Sequence, residues 1–263
     1  MSSYLESAVF MARQAGLLLK EKFDQPHTIE YKGEINIVTE ADHASEALII
    51  RHIREMYPDH DILTEESKGR ATGADFRWII DPLDGTTNYA HGYPVFCVSI
   101  ALEKRGEICC GAVYNPMLDE MFFASKGGGA FLNDKTIHVS GTKDLSKSLL
   151  ATGFPYDVRD SLENNMNYFN HMAVNVQAIR RAGAAALDMC YVAAGRFDGF
   201  WELKLMPWDT AAAWLVVREA GGWVTDLFGG LFFLEAPHAL ASNGIIHEGL
   251  IAILSQVRQG EGR

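Results

Sequence analysis

The sequence lacks the long apolar runs and the basic charge that mark two large classes of protein. In 263 residues, no stretch reaches the roughly 18 consecutive apolar residues that a membrane-spanning helix needs. The formal net charge is −11 at pH 7, whereas non-specific binding to nucleic acid or to an anionic membrane requires a basic face. We therefore expect no membrane span and no direct nucleic-acid binding. So acidic a chain also repels phosphate compounds unless cations intervene.

Cysteine is scarce, and its spacing is wrong for disulfides or zinc. No two cysteines have the C-x-x-C spacing, which argues against a zinc site or a disulfide framework. Each lies in an apolar stretch, so we expect buried free thiols. The four are Cys97, Cys109, Cys110 and Cys190. The opening residues, MSSYLE, include an acid and no base, unlike a secretory signal, so we expect a cytoplasmic protein.

The most informative stretch is WIIDPLDGTTNYAHGYP, residues 78–94. Its apolar start predicts a buried strand, which we expect to end at Asp81, because Pro82 cannot continue a strand ladder. Asp84 follows three residues later, so two carboxylates leave the strand in one turn. Carboxylates are suitable ligands for a hard cation such as Mg²⁺. Asp-Pro and Asp-Gly are also common turn pairs, so an ordinary turn is the alternative.

The same turn offers groups that suit a phosphate. Gly85 permits a positive φ and leaves backbone N–H groups open to a ligand. Thr86 and Thr87 are suited to begin a short helix, and the first N–H groups of a helix face anions favourably. The turn therefore predicts both halves of a metal–phosphate site.

Further acids follow other short apolar runs or open a helix. Glu65 follows a predicted strand at 61–64, and Glu66 would point to the opposite face, so at most one of the pair faces a given site. Glu202 follows another short strand. Asp209 begins a predicted helix, where a capping role is the simplest alternative. Asp42 likewise has a capping alternative, as the partner of Thr39 in a capping box. Carboxylates that converge require cations, because like charges raise one another's pKa.

The chain alternates helical and strand patterns. Helices are predicted at 3–23, 40–56, 160–174, 184–194, 207–220 and 245–257. Between them, an antiparallel meander is predicted at 95–132, with one more hairpin reaching 137–139. Strands alternate with helices after residue 145, which indicates layered α/β packing. We expect an N-terminal α+β half at 1–145 that carries the metal site. A C-terminal α/β half at 146–263, with a mixed sheet, would close the active site.

These motifs together resemble those of the inositol monophosphatase family, within the Mg²⁺-dependent, lithium-sensitive phosphatase superfamily. The resemblance is carried first by DPLDGTTN at 81–88 with WD at 208–209. It covers nearly the whole chain, in the expected order. Further matching segments are EE at 65–66, NIVTEAD at 36–42, GAAA at 183–186 and GFWE at 199–202. The resemblance implies a sugar-phosphatase-like fold of alternating α-β-α-β-α layers and a homodimer.

The resemblance also implies roles for individual residues. The implied Mg²⁺ ligands are Glu65, Asp81, the carbonyl of Leu83, Asp84 and Asp209. The implied catalytic residues are Glu65, Thr86 and Asp42, with Asp42 bonding the Thr86 hydroxyl. The implied substrate-binding residues are Leu83, Asp84, Gly85, Thr86, Gly183, Ala184, Ala185, Glu202 and Asp209. Lys32 matches a lysine in the family's mobile loop, whereas Asn36 replaces an aspartate found there in some members.

The implied activity is hydrolysis of inositol monophosphate, or of a related sugar or polyol phosphate, by attack of a metal-activated water. The sequence offers no obvious Cys or Ser nucleophile motif. Three alternatives remain. The chain could be a fructose-1,6-bisphosphatase or a nucleotide 3′-phosphatase of the same superfamily. It could be a regulatory binding partner in transcription or ribosome assembly. A generic metal-binding module is the weakest, because no EF-hand spacing is present.

Overall fold

The computed structural model describes residues 3–260, with side chains through Val257. Within these residues, helices and sheets alternate in five layers, α-β-α-β-α, as predicted. The helices are α1 (Ser3–Lys22), α2 (Glu40–Met56), α3 (Thr86–Ala90), α4 (Met166–Ala173), α5 (Ala185–Ala193), α6 (Pro207–Glu219) and α7 (His247–Gly260). The strands before residue 145 are β1 (Ile29–Tyr31), β2 (Ile37–Thr39), β3 (Asp61–Thr64), β4 (Phe76–Asp84), β5 (Cys97–Lys104), β6 (Glu107–Asn115), β7 (Glu120–Ser125), β8 (Ala130–Leu132) and β9 (Lys135–Thr136). The later strands are β10 (Leu149–Thr152), β11 (Ala178–Arg180), β12 (Gly199–Leu203), β13 (Trp223–Thr225) and β14 (His238–Ser242).

The first sheet is built from β3 to β9 in chain order. In this first sheet, the β3–β4 pair is parallel and every other described pair is antiparallel. The run of antiparallel neighbours from β5 to β8 confirms the predicted meander. Helices α1 and α2 pack on one face of this sheet, with the apolar side of α1 fully buried. The last hairpin is shorter than predicted, because β9 ends at Thr136.

Strand β4 corrects the prediction that the strand ends at Asp81. It pairs with β5 from Phe76 to Asp81, loses register, and pairs again where Asp84 lies opposite Cys97. Pro82 falls inside the irregularity, where no ladder hydrogen bond is required of it. The strand therefore carries both aspartates at its end, with a bulge between them.

The second sheet has the order β11-β10-β12-β14-β13 and is mixed, as predicted. Helices α5 and α6 lie between the two sheets, and α4 and α7 cover the outer face. The helix predicted at 160–174 begins only at Met166, because Asn165 adopts a left-handed conformation that interrupts helical geometry. The division of the chain at residue 145 remains a prediction.

Two expectations about composition can be compared with the structure. None of the described helices has both the length and the apolar character needed to cross a membrane. All four cysteines are free, but Cys109 is only half-buried, so the expectation of buried thiols is wrong for that residue.

Candidate active site

The site is a cavity of about 410 Å³ between the two sheets. It is bordered by the end of β4, the start of α3, the segment after β10, the end of β12 and the start of α6. The structure brings all but two of the predicted site residues to this cavity. Those that line it are Glu65, Asp81, Leu83, Asp84, Gly85, Thr86, Gly183, Ala185, Glu202 and Asp209. Asp42 and Ala184 are buried behind the wall.

The turn after β4 is held by its own backbone. The Leu83 N–H donates to Asp81 Oδ1 at 3.0 Å, which fixes the carboxylate above the bulge. Gly85 has a φ of +96° and forms the N-cap of α3. A β-carbon there would also lie 3.0 Å from the Val95 carbonyl oxygen. Glycine is therefore required at residue 85 both by conformation and by space.

Thr86 is fixed from behind by Asp42. The Thr86 hydroxyl donates to Asp42 Oδ1 at 2.9 Å, and the Leu83 carbonyl oxygen lies 3.1 Å from the same hydroxyl. Asp42 Oδ2 accepts from the Thr39 N–H and hydroxyl, which confirms the predicted capping box of α2. Asp42 thus caps helix α2 and orients Thr86 at the same time, so the capping role and the predicted contact with Thr86 are compatible.

Asp84 connects the first sheet to the helix layer. Its carboxylate accepts from the N–H groups of Ala185 at 3.1 Å and Ala186 at 2.8 Å, at the N-terminal end of α5. The helix dipole favours negative charge at that position. The Cys97 thiol donates to Asp84 Oδ2 at 3.4 Å. Oδ2 therefore accepts two hydrogen bonds, whereas Oδ1 accepts only the one from Ala185 and keeps a lone-pair direction open.

Glu65 is paired with a lysine from the loop between β1 and β2. Lys32 Nζ lies 3.1 Å from Glu65 Oε1 and 2.6 Å from Glu66 Oε1. Sequence reasoning expected at most one of these two acids to face the site. Glu65 lines the cavity and Glu66 does not. Both acids lie beyond β3 and bond the same ammonium, so strand alternation is not what separates them.

Four carboxylates form an acid cluster in the cavity: Glu65, Asp81, Asp84 and Asp209. Burial raises the pKa of Asp81 well above its ordinary value, and the charges of the other three cluster members raise it further. The pKa of Asp84 is raised to about 6, again chiefly by burial. This is the behaviour of like charges gathered in a site that a cation would neutralise.

The donor set fits Mg²⁺ in its chemistry. Carboxylate oxygens and the Leu83 carbonyl oxygen are hard ligands of the kind that Mg²⁺ prefers. The Asn36 Oδ1 atom is buried without a hydrogen-bond partner among the described residues, and Asn36 also lines the cavity. No group of three or more acidic, histidine or cysteine side chains in residues 3–257 already stands in a geometry that could hold a metal ion. The site therefore fits Mg²⁺ in the type of its ligands and in the charge repulsion among its carboxylates, which a cation would relieve.

The family model described as the inositol monophosphatase family matches residues 1–259. The chain belongs to the inositol monophosphatase family. It is 45% identical over 250 residues to the Nus factor SuhB of Pseudomonas aeruginosa, covering 92% of each chain. It is 41% identical over 254 residues to an inositol-1-monophosphatase of Mesorhizobium japonicum, covering 95% of each. The solved inositol monophosphatase of Anabaena (Nostoc) superposes with a TM-score of 0.89 at 43% identity, covering 97% of this chain and 96% of that one.

The side of the cavity beyond the acid cluster carries a further carboxylate, that of Glu202. Glu202 lines it from the end of β12, and burial, followed by the charges of Asp188 and Asp84, raises the pKa of Glu202 to about 8. A β-carbon at residue 153 would lie 2.1 Å from Glu202 Oε1. Any larger residue at position 153 would force this carboxylate to move.

Asn88 is one residue whose function sequence reasoning missed. Its Nδ2 donates to the carbonyls of Val95 at 2.7 Å and Ala182 at 2.8 Å, which ties α3 to the loop before α5. The residue lay inside the recognised motif, but nothing near it in sequence indicated partners 94 positions away.

A group of cavity residues carried no prediction at all. Their signal is positional, because they directly follow β10, β11 or β12, whose ends face the cavity. These residues are Phe154, Pro155, Tyr156, Asp157, Arg181, Lys204, Leu205 and Met206.

Proposed function

We propose that this protein is a Mg²⁺-dependent phosphomonoesterase that hydrolyses inositol monophosphate or a related sugar or polyol phosphate. The observation that carries the proposal is the shared cavity, in which the acid cluster meets the glycine turn at Gly85 and Thr86. A phosphate would bind at the N–H groups of that turn, at the start of α3. Hydroxyl groups of the substrate would contact Glu202 and the backbone at residues 183–185.

The residues of the chain supply binding and proton handling. Thr86 donates its own proton to Asp42, so its oxygen keeps lone pairs that can accept a proton from the attacking water. Glu65 lines the same cavity and would orient that water. The ligands for Mg²⁺ would be Glu65, Asp81, the Leu83 carbonyl, Asp84 and Asp209. When bound, Mg²⁺ would neutralise the carboxylates and stabilise charge developing on the phosphoryl group.

The proposal is tested by assaying a panel of phosphomonoesters with Mg²⁺, with EDTA and with added Li⁺. The panel should contain inositol 1-phosphate, glycerol 2-phosphate, fructose 1,6-bisphosphate and a nucleoside 3′-phosphate. We expect hydrolysis of polyol phosphates that EDTA abolishes and Mg²⁺ restores, with inhibition by Li⁺. Faster turnover of fructose 1,6-bisphosphate or of the nucleoside 3′-phosphate would show that the substrate belongs to that class and not to the polyol phosphates. Activity that is indifferent to chelation would refute the metal-dependent mechanism.

A second role is favoured by relatives that are named Nus factor SuhB and are 42–45% identical to this chain. We propose that the chain can also act as a binding factor of that kind. The net charge of −11 favours a protein partner over direct contact with nucleic acid. Complementation of a Pseudomonas aeruginosa strain lacking its Nus factor SuhB would test this. Rescue by both the wild type and Asp81→Asn would separate the role from catalysis, and failure of the wild type to rescue would refute it.

The oligomeric state and the cellular location are proposed as well. We propose a homodimer on the resemblance to the family, and, separately, a cytoplasmic location. Light scattering coupled to size-exclusion chromatography would show a mass twice the 29.1 kDa of one chain. A monomer at micromolar concentration would refute the dimer.

A further inference from the structure

The segment that follows β10 forms a wall of the cavity to which no role has been assigned. Five consecutive residues, 153–157, all line the cavity. Gly153 accommodates Glu202, as described above. The remaining four present two aromatic rings, a proline and an acid to the space where a substrate would lie. Of these, Tyr156 is the only one with a neutral hydrogen-bond donor on its side chain.

Lys204 fastens this wall to the second sheet. Its Nζ donates to Asp157 Oδ2 at 2.6 Å and to Ser161 Oγ at 2.8 Å. Lys204 lies two residues after Glu202, and its φ is +60°, in the left-handed region that favours glycine. A non-glycine residue held there is strained, and such strain concentrates at functional sites. The backbone thus adopts a costly conformation at the residue whose side chain holds Asp157, the neighbour of Tyr156.

Two further contacts hold the rest of the segment. Arg159 pairs with Glu34, in the same loop that carries Lys32 to the acid cluster. His238 Nε2 lies 3.2 Å from Glu163 Oε1, and His238 Nδ1 accepts from the Lys204 N–H at 3.3 Å. The chain is therefore held at several points on the C-terminal side of Tyr156.

Tyr156 lines the same cavity as the acid cluster and is influenced by the cluster's negative charge. Partial burial raises the pKa of this phenol, and the four cluster carboxylates raise it further. The phenol therefore keeps its proton and remains a donor throughout the neutral range. Within the described residues, the Tyr156 hydroxyl makes no hydrogen bond, although 55% of the residue is exposed. A donor on a cavity-lining residue that has no protein partner is available to a ligand.

We propose that Tyr156 is a substrate-contacting residue whose hydroxyl donates a hydrogen bond to an oxygen of the bound phosphomonoester. Lys204 is the positioning residue that holds Tyr156 in place through Asp157. The inference rests on the proposed phosphatase function and deepens it, because it assigns one wall of the same cavity to substrate recognition.

The test compares Tyr156→Phe with wild type in steady-state hydrolysis of the best polyol phosphate from the panel. Removal of one hydrogen bond to a charged group is expected to lower kcat/KM by about tenfold or more. The loss should fall mainly on KM, because a contact already made to the bound substrate is lost. Mg²⁺ affinity, measured by calorimetry, should not change. The matched control is Tyr93→Phe, which alters a half-exposed tyrosine outside the cavity and should behave as wild type.

The Lys204→Gly variant tests whether Lys204 positions Tyr156 or only stabilises the fold. Glycine relieves the left-handed strain, so we expect the melting temperature to hold or rise. Loss of the bonds to Asp157 and Ser161 should nevertheless raise KM, in the same direction as Tyr156→Phe. A lower melting temperature with unchanged KM would show that Lys204 is structural, and would overturn its positioning role.

The outcomes keep this inference distinct from the proposed function. An active wild type with Tyr156→Phe within twofold of its kcat/KM would overturn the inference and leave the phosphatase standing. A changed Mg²⁺ affinity in Tyr156→Phe would overturn it as well, because the hydroxyl would then act on the metal site. A wild type that hydrolyses none of the panel would refute the proposed function, and the inference with it.

Discussion

Two sides of one cavity are built in different ways. The side at the end of β4 is held by short backbone contacts, such as the Leu83 N–H on Asp81 and the N–H groups of α5 on Asp84. The side formed by residues 153–163 is held by long side chains, such as Lys204 on Asp157 and Arg159 on Glu34. Both members of the Arg159–Glu34 pair are more than half exposed.

The difference in construction suggests that the two sides have different roles in binding and recognition. Carboxylates that must bind ions and phosphate need fixed positions, and buried backbone contacts provide them. The exposed Arg159–Glu34 pair costs little to rearrange, because such pairs contribute only about 0–1 kcal/mol each. We therefore expect changes at the β4 side to abolish chemistry, and changes at the loop side to adjust recognition. The following predictions examine that contrast.

The largest effect is expected from Asp81→Asn. This change removes a proposed metal ligand, and turnover should fall by about a thousandfold or more. It also removes a buried charge that three other carboxylates repel, so the melting temperature in EDTA should rise. Steady-state assays and thermal unfolding check both. Asp134→Asn, in an exposed hairpin turn, is the matched control and should change neither. Near-normal turnover of Asp81→Asn would contradict the role given to the acid cluster.

A smaller but still large effect is expected from Mg²⁺ on stability. An ion that binds only the folded state at about one hundred times its Kd adds about 2.7 kcal/mol. For a chain of this size, that should raise the melting temperature by roughly 5 °C or more. Differential scanning fluorimetry with and without millimolar MgCl₂ measures the shift. The Asp81→Asn variant should show most of the shift lost, and an equal shift in both proteins would place the bound ion elsewhere.

A moderate effect is expected from Glu202 on the pH dependence of stability. The pKa of Glu202 is raised from 4.5 to about 8, so between these values the folded state binds more protons than the unfolded state. Its stabilising contribution is present below pH 4.5 and is lost as pH rises through about 8. In EDTA, the melting temperature should therefore fall across this window, and Glu202→Gln should fall less steeply. Parallel curves for the two proteins would show that Glu202 does not carry the raised pKa.

The smallest effect is expected from Glu34→Gln. It breaks the exposed pair with Arg159, so stability should change by less than about 1 kcal/mol. We expect KM to change by no more than about threefold and kcat to stay constant, because the acid cluster is untouched. Steady-state kinetics and urea unfolding measure both. A large loss of kcat would show that the loop side is as rigid as the β4 side, and would end the contrast.

The two sides also differ in how far the sequence predicted them. The turn from Asp81 to Thr86 is local, so its chemistry is visible in adjacent residues. Helix α2 likewise begins as predicted, because Thr39 with Asp42 is a local capping signal. The loop side depends on partners far apart in sequence, such as Lys204 with Asp157, 47 positions away. No local pattern marks such a pair. The helix expected at 160–174 was predicted too long, because the positive φ of Asn165, just before the observed helix, is not visible in the sequence pattern.

The central claim is that the acid cluster binds divalent ions for phosphomonoester hydrolysis. Calorimetric titration of Mg²⁺ into the chelator-stripped wild type, Asp81→Asn and Asp134→Asn tests it without reference to any substrate. The account predicts saturable binding to the wild type and to Asp134→Asn, and binding at least about tenfold weaker to Asp81→Asn. Equal affinity in all three proteins, or no binding to the wild type, would contradict it.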